Sequence, residues 1–218
     1  VTGLVSSLVT LVIAIAITGT VVYVRGDFRA GASPSPAGVP EEPCASIDEE
    51  RLDEISAQES SFSVQQESSS CSWDAQFDGM ADVTLQVTYA TPMSSANASR
   101  AEERGVEPTT GAGDLTDAGD IYEGALDNNS EPVTSTDEVL GKREEPQDFG
   151  DESALVYLRT EESLVTYSTS RASKAALVIR DGDRVTEIRV RKYGDTFSFS
   201  PAQSALTDLA DDVPWQEG

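Results

Sequence analysis

From Gly3 to Val24 the chain reads GLVSSLVTLVIAIAITGTVVYV without one charged side chain, and the run stops at Arg25. About 22 helical residues rise roughly 33 Å, enough to cross the hydrocarbon core of a bilayer. A helix that is apolar on every face over this length does not suit a small water-soluble core, whose surface helices keep a polar side. Residues 1–24 are therefore read as a transmembrane anchor, with the lipid bilayer as its partner. The run exceeds the roughly 7 to 15 apolar residues of a signal h-region and has no basic n-region before it, which favours an uncleaved anchor. Ala30 and Ala32 before Ser33 form the A-x-A-like pattern that cleavage would require.

Which side of the membrane the rest occupies is contested within the sequence. Arg25 and Arg29 follow the run, and the positive-inside rule taken literally would put the remainder in the cytoplasm. The first residue is Val1, so the upstream flank is open and this count weighs little. The cysteines argue the other way. Cys44 and Cys71 match neither C-x-x-C redox spacing nor a four-ligand zinc pattern. A disulfide is the simplest reading, two separate buried thiols the alternative. Such a bond would persist only in an oxidising compartment, which places the domain outside the cytoplasmic membrane.

The formal net charge of -24 argues against recognition of nucleic acid or an anionic lipid surface by this domain, since both need basic patches. Lys142, Lys174 and Lys192 are the only lysines among many arginines, a usage that points to a GC-rich prokaryotic gene. An actinobacterium and a salt-adapted organism would both account for the acidity.

After the anchor, residues 25–42 are rich in Pro, Gly, Ser and Ala and read as a solvated tether. Residues 43–218 suffice for one domain. Within it, residues 105–148 show no sustained apolar period and read as a flexible acidic insertion, with a short island at Ile121 to Leu126 able to dock on the body. Ser46 to Glu49 matches a capping box and predicts a helix over 47–57; Ser200 to Gln203 gives a second, ahead of the stripe Ala202, Ala205, Leu206, Leu209, Ala210 and Val213. Strict alternation predicts a strand over 81–90, paired through Asp78-Gly79 with 71–77. Further strands are predicted at 154–159, 164–168, 175–180 and 184–192, the last two around an Asp181-Gly182 type I′ turn. The class is α+β: an antiparallel sheet with two or more helices on one face and a long acidic loop insertion.

Pro43-Cys44 before a capped helix, Cys71-Ser72-Trp73 opening a hairpin, and Phe149-Gly150-Asp151-Glu152-Ser153-Ala154 before a strand together resemble the actinobacterial envelope lipoproteins grouped as domain of unknown function 3558. The likeness spans about Pro43 to Val213. It departs from that family in carrying an apolar anchor where a lipobox is usual, a serine inserted before Ala154, and a longer insertion. The resemblance implies an exported, membrane-tethered α+β domain with one disulfide and no established chemistry.

No histidine is present, which removes Ser-His-Asp and Cys-His catalysis and the commonest zinc ligand. No catalytic, cofactor or metal site is expected. Asp114, Asp117 and Asp120, spaced by three, lack the alternating ligands of an EF-hand and read as a solvated acidic loop. Trp73, on the same strand face as Cys71, is expected in the core. Candidate partner-binding residues are Arg189 and Arg191, on one face of a strand within the basic group Arg180, Arg184, Arg189, Arg191 and Lys192, and Trp215 near the end of the chain. The alternative role of the arginines is to balance acids, Glu187 among them, and that of Trp215 is to cover the sheet edge. The expected function is a non-enzymatic binding or sensing module of the bacterial cell envelope, contacting an envelope protein or cell-wall ligand. The alternatives are a carboxylate-based envelope hydrolase and a structural spacer.

Overall fold

A computed structural model of the chain describes residues 39–103, 115–132, 134, 137–164 and 168–213. The expected anchor, residues 25–38 of the tether and Trp215 lie outside these, and among the described residues no helix is long and apolar enough to cross a membrane. The class is α+β, as the alternating patterns predict. The strands are β1 Gln58–Val64, β2 Ser68–Phe77, β3 Met80–Ala90, β4 Glu138–Pro146, β5 Glu152–Leu164, β6 Ser168–Asp181 and β7 Arg184–Tyr193. They form one antiparallel sheet in the order β1-β2-β3-β7-β6-β5-β4. A 3-10 turn at Pro43–Ser46 precedes helices α1 Glu49–Glu54, α2 Ser95–Glu103, α3 Ala118–Ser130 and α4 Phe199–Asp212.

Alternation sorts the side chains into two faces. One buries Cys71, Trp73, Leu85, Tyr89, Leu177, Ile188 and Val190 beneath the α4 stripe of Ala202, Ala205, Leu206, Leu209 and Ala210. Each buried leucine here contributes about 1.5–3 kcal/mol relative to exposure. Tyr157 of β5 joins this core and donates from its hydroxyl to the Phe197 carbonyl at 2.6 Å, fixing the approach to α4. The expectation of helices on one face is incomplete, because α3 lies on the other. There Ile121, Tyr122 and Ala125 pack with Ala90, Val178 and Val185.

That helix and strand β4 both fall inside residues 105–148, read from sequence as a flexible insertion. The docking island is real and longer than expected: Asp117 caps α3 by accepting from the Gly119 and Asp120 amides at 2.8 and 3.2 Å. Such a cap is worth about 1 kcal/mol. Strand β4 escaped notice because an edge strand pairs through its backbone and is commonly guarded by charge and proline, which mimic a loop in sequence.

Both capping boxes are displaced. The Ser46 hydroxyl donates to the Pro43 carbonyl at 2.6 Å within the 3-10 turn, and α1 starts after Asp48 and stops at Glu54, shorter than the predicted 47–57. α4 starts at Phe199 after Ser198, while Gln203 donates to Glu145 at 3.2 Å. Of the expected strand 164–168, Leu164 closes β5 and Ser168 opens β6, while residues 165–167 lie outside the described residues. The β6–β7 turn is also one residue later than predicted, since Asp181 pairs with Arg184. Gly182 has φ +57° and Asp183 no positive φ, the type II′ pattern in place of I′.

The cysteines form the disulfide Cys44–Cys71, with Cα atoms 5.1 Å apart across a separation of 27 positions. It staples the 3-10 turn to β2. Closing a loop of this size stabilises the domain by roughly 3.5 kcal/mol in the chain-entropy account. Trp73 is buried beside it in the same core, as expected.

The Gly150-Asp151-Glu152 motif is a clasp. The Asp151 amide donates to the Arg180 carbonyl at 2.8 Å, its carboxylate accepts from the Gly182 amide at 3.0 Å, and Arg180 pairs with both Asp151 and Glu152. These bonds tie the corner before β5 to the β6–β7 hairpin. Gly150 has φ +61°, and a Cβ there would lie 2.5 Å from the Arg180 carbonyl oxygen. Gly150→Ala is therefore expected to lower stability by at least about 1–3 kcal/mol, read as an earlier urea midpoint; an unchanged midpoint would remove the clasp from the account.

Candidate binding face

Among the described residues, the face that carries α3 is covered over only part of its width. Across β3 and β2 it presents Thr84, Gln86 and Thr88 beside Ser70, Ser72 and Asp74, and β7 adds Glu187, Arg189 and Arg191 in the same plane. Register sets the neighbours: Arg189 lies between Gln86 and Ala176, and Arg191 between Thr84 and Lys174. The two expected partner-binding arginines thus share a face, half-buried in a mostly small and polar surface.

The sheet uses them differently. Arg189 sits 3.2 Å from the carboxylate of Glu187, which is itself buried, and also donates to the Gln86 side-chain oxygen. The Glu187 contact is an ion pair without hydrogen-bond geometry. Arg189 therefore has the charge-balancing role, because an unpaired carboxylate at that depth would be costly. Arg191 stacks its guanidinium on Tyr193 with 4.0 Å to the ring centroid, and Tyr193 is 58% exposed. An arginine on an exposed tyrosine is the kind of pair found at the centres of binding interfaces.

Of the remaining basic group, Arg180 belongs to the clasp, and Lys192 lies 3.2 Å from Asp195. The Thr196 amide and then Lys192 hold the Asp195 carboxyl below its ordinary range. Arg184 opens β7 opposite Asp181. Trp215 lies outside the described residues and is not brought to this face.

Sequence reasoning missed Lys174. It donates to the carbonyls of Asn128 and Glu131 at 2.6 and 2.8 Å, so a lysine from β6 satisfies the C-terminal end of α3, where orphan carbonyls favour a cation. A shallow hollow of about 10 Å³, on the order of one water, opens beside it between Pro132, Leu158, Thr160, Ala172 and Arg191. The alternating run around Lys174 could have revealed that it shares the Arg191 face; nothing local could have revealed α3 above it.

Several acidic side chains are engaged structurally: Asp117 caps α3, Asp151 and Glu152 hold Arg180, and Glu145 pairs with Arg143. Asp114 is outside the described residues, Asp117 caps α3 and Asp120 lies in its first turn. Cys44, Glu59 and Cys71 lie close together, but the disulfide leaves no thiolate to bind a metal. Comparison with protein-family profiles, with curated proteins and with solved structures returns no match.

Burial, then the charges of Arg189 and Arg191, lowers the Lys174 pKa from 10.5 to about 8. The unfolded chain therefore binds an extra proton between these values, and stability should rise as pH increases through that window. Burial pushes the Tyr89 and Tyr122 phenols up to about 12, which reverses the slope above their ordinary value of 10. Urea midpoints measured from pH 8 to about 10 should climb in the native chain and stay flat in Lys174→Met; the same climb in both would refute the assignment.

Proposed function

We propose that the protein is a membrane-anchored, extracytoplasmic binding or sensing module of the bacterial cell envelope, acting without catalysis. The observation that carries this reading is the Cys44–Cys71 disulfide, which a reducing cytoplasm would not maintain. The uncharged run from Gly3 to Val24 and the likeness to the envelope lipoproteins of domain of unknown function 3558 support the same location. Composition supports the absence of catalysis: the chain has no histidine, and both cysteines are in the disulfide. The location has a direct test in intact cells treated with a thiol reagent without reductant. Neither Cys44 nor Cys71 should react until a reductant is added; immediate labelling of both would sink the exported reading.

The partner is an envelope protein or a cell-wall ligand with anionic groups, and the surface for it is the polar sheet face around Arg191 and Tyr193. An acidic molecule gains specificity there, since approach of an anion is favoured at few other places. Arg191→Ser should lower retention on purified cell wall roughly tenfold, the cost of about one charge-assisted contact, with the urea midpoint unchanged. Arg189→Ser should lower the midpoint, because it strands Glu187, and Arg189→Ser with Glu187→Gln should recover it. Equal retention by native protein and Arg191→Ser would exclude this face.

A further inference from the structure

Strand β1 buries none of its side chains. All seven residues from Gln58 to Val64 are exposed, Phe62 by 64% and Val64 by 38%. Backbone pairing with β2 holds it, helped by a bond from the Ser60 hydroxyl to the Ser72 carbonyl at 3.0 Å. Among the described residues, no strand lies beside its outer edge.

The register tells which groups face that edge. The Gln65 amide donates to the Ser68 carbonyl at 2.7 Å, which makes these two a hydrogen-bonded pair. Bonded and non-bonded pairs alternate along an antiparallel ladder. Ser63–Ser70 and Ser61–Ser72 are therefore bonded pairs, while Val64–Ser69 and Phe62–Cys71 are not. The amides and carbonyls of Phe62 and Val64 point away from β2. The two residues with exposed apolar side chains are thus the two that offer backbone groups to a new strand.

The sheet's other edge is defended. β4 carries Lys142, Arg143, Glu144, Glu145 and Pro146, which discourage strand addition. β1 has neither lysine nor proline, and residues 60–66 carry no charge. The register shift between Glu59 and Ser61 leaves Ser61 to Val64 as a regular, unguarded run.

We propose that β1 pairs antiparallel with β1 of a second copy of this chain, joining two sheets across a two-fold axis. Charge admits this occupant at the edge and opposes it elsewhere. A molecule of net charge -24 repels its own copies over most of its surface, and an uncharged edge is where they can meet. An antiparallel two-fold pairing is also self-complementary, as isologous interfaces require. The favoured register sets Phe62 opposite Phe62 of the copy, Ser60 opposite Val64 and Glu59 opposite Gln65, so the two glutamates at position 59 lie at opposite ends. Centring the pair on Ser63 would set Glu59 against Glu67 and is disfavoured by like charge.

The test is sedimentation equilibrium of the full-length chain in detergent from about 1 to about 200 μM, at low and high salt. The expected protein mass rises from the 23.2 kDa of one chain towards twice that value. Association should strengthen with salt, because the edge is neutral and the rest repulsive. Phe62→Pro removes an outward amide without touching a β1–β2 bond, and Phe62→Lys guards the edge while leaving the backbone intact; each should weaken association at least about tenfold. Val139→Lys, on the opposite edge, should not. Thiol blocking and the urea midpoint verify that each variant keeps its disulfide and fold. A native chain of single mass at every concentration, or unchanged association in both Phe62 variants, would overturn the proposal.

Discussion

Residues Ala175 to Ile179 of β6 are buried without interruption, so water is excluded from both faces of the sheet at its centre. A strand buried on both sides needs a cover on each. α4 supplies one through Leu206 and Leu209, and α3 supplies the other through Ile121, Tyr122 and Ala125. Most other features follow from holding these covers in place. The Asp117 cap and Lys174 fix the two ends of α3, and Tyr157 and Gln203 fix the start of α4. The clasp at Gly150 to Glu152 keeps β5 in register with the hairpin that the helices cover.

The second cover is also what creates a candidate binding face. α3 shields Val178 and Val185 but leaves Thr84, Gln86 and Arg191 outside its footprint. A continuous sheet face is thereby divided into an apolar half under a helix and a polar half beside it. Arg189 and Arg191 lie only two positions apart, yet one neutralises a buried glutamate and the other stacks on an exposed tyrosine. Position along a strand set their common face; the depth of the neighbouring acid set their different uses.

Elements with strong local signals were legible. Val83, Leu85, Val87 and Tyr89 alternate into the core, and Ala202 to Ala210 form the predicted helical stripe. The cysteine pairing and the Asp78-Gly79 turn were equally plain. Elements stabilised by their neighbours were not. β1 is built of Ser, Gln and Glu with a lone Phe and Val, and β4 is mostly charged, so neither carries an apolar period. α2, Ser95–Glu103, went unpredicted for the same lack of an apolar stripe. The half-buried arginines were visible as a shared face, whereas the roles of Lys174 and Glu187 depend on α3 and on cross-strand neighbours far away in sequence. Both capping boxes misled because Ser46 and Gln203 found partners outside their own helices.

Native-state hydrogen exchange tests the two-sided sheet most directly. If α3 covers β6 as described, amides of Ile121 to Leu126 should be protected to a degree approaching those of α4, and Leu177 and Val178 should exchange only on global unfolding. α3 amides exchanging at the rate of an unfolded peptide, while α4 and Leu177 stay protected, would show that the second face is open and would contradict the account.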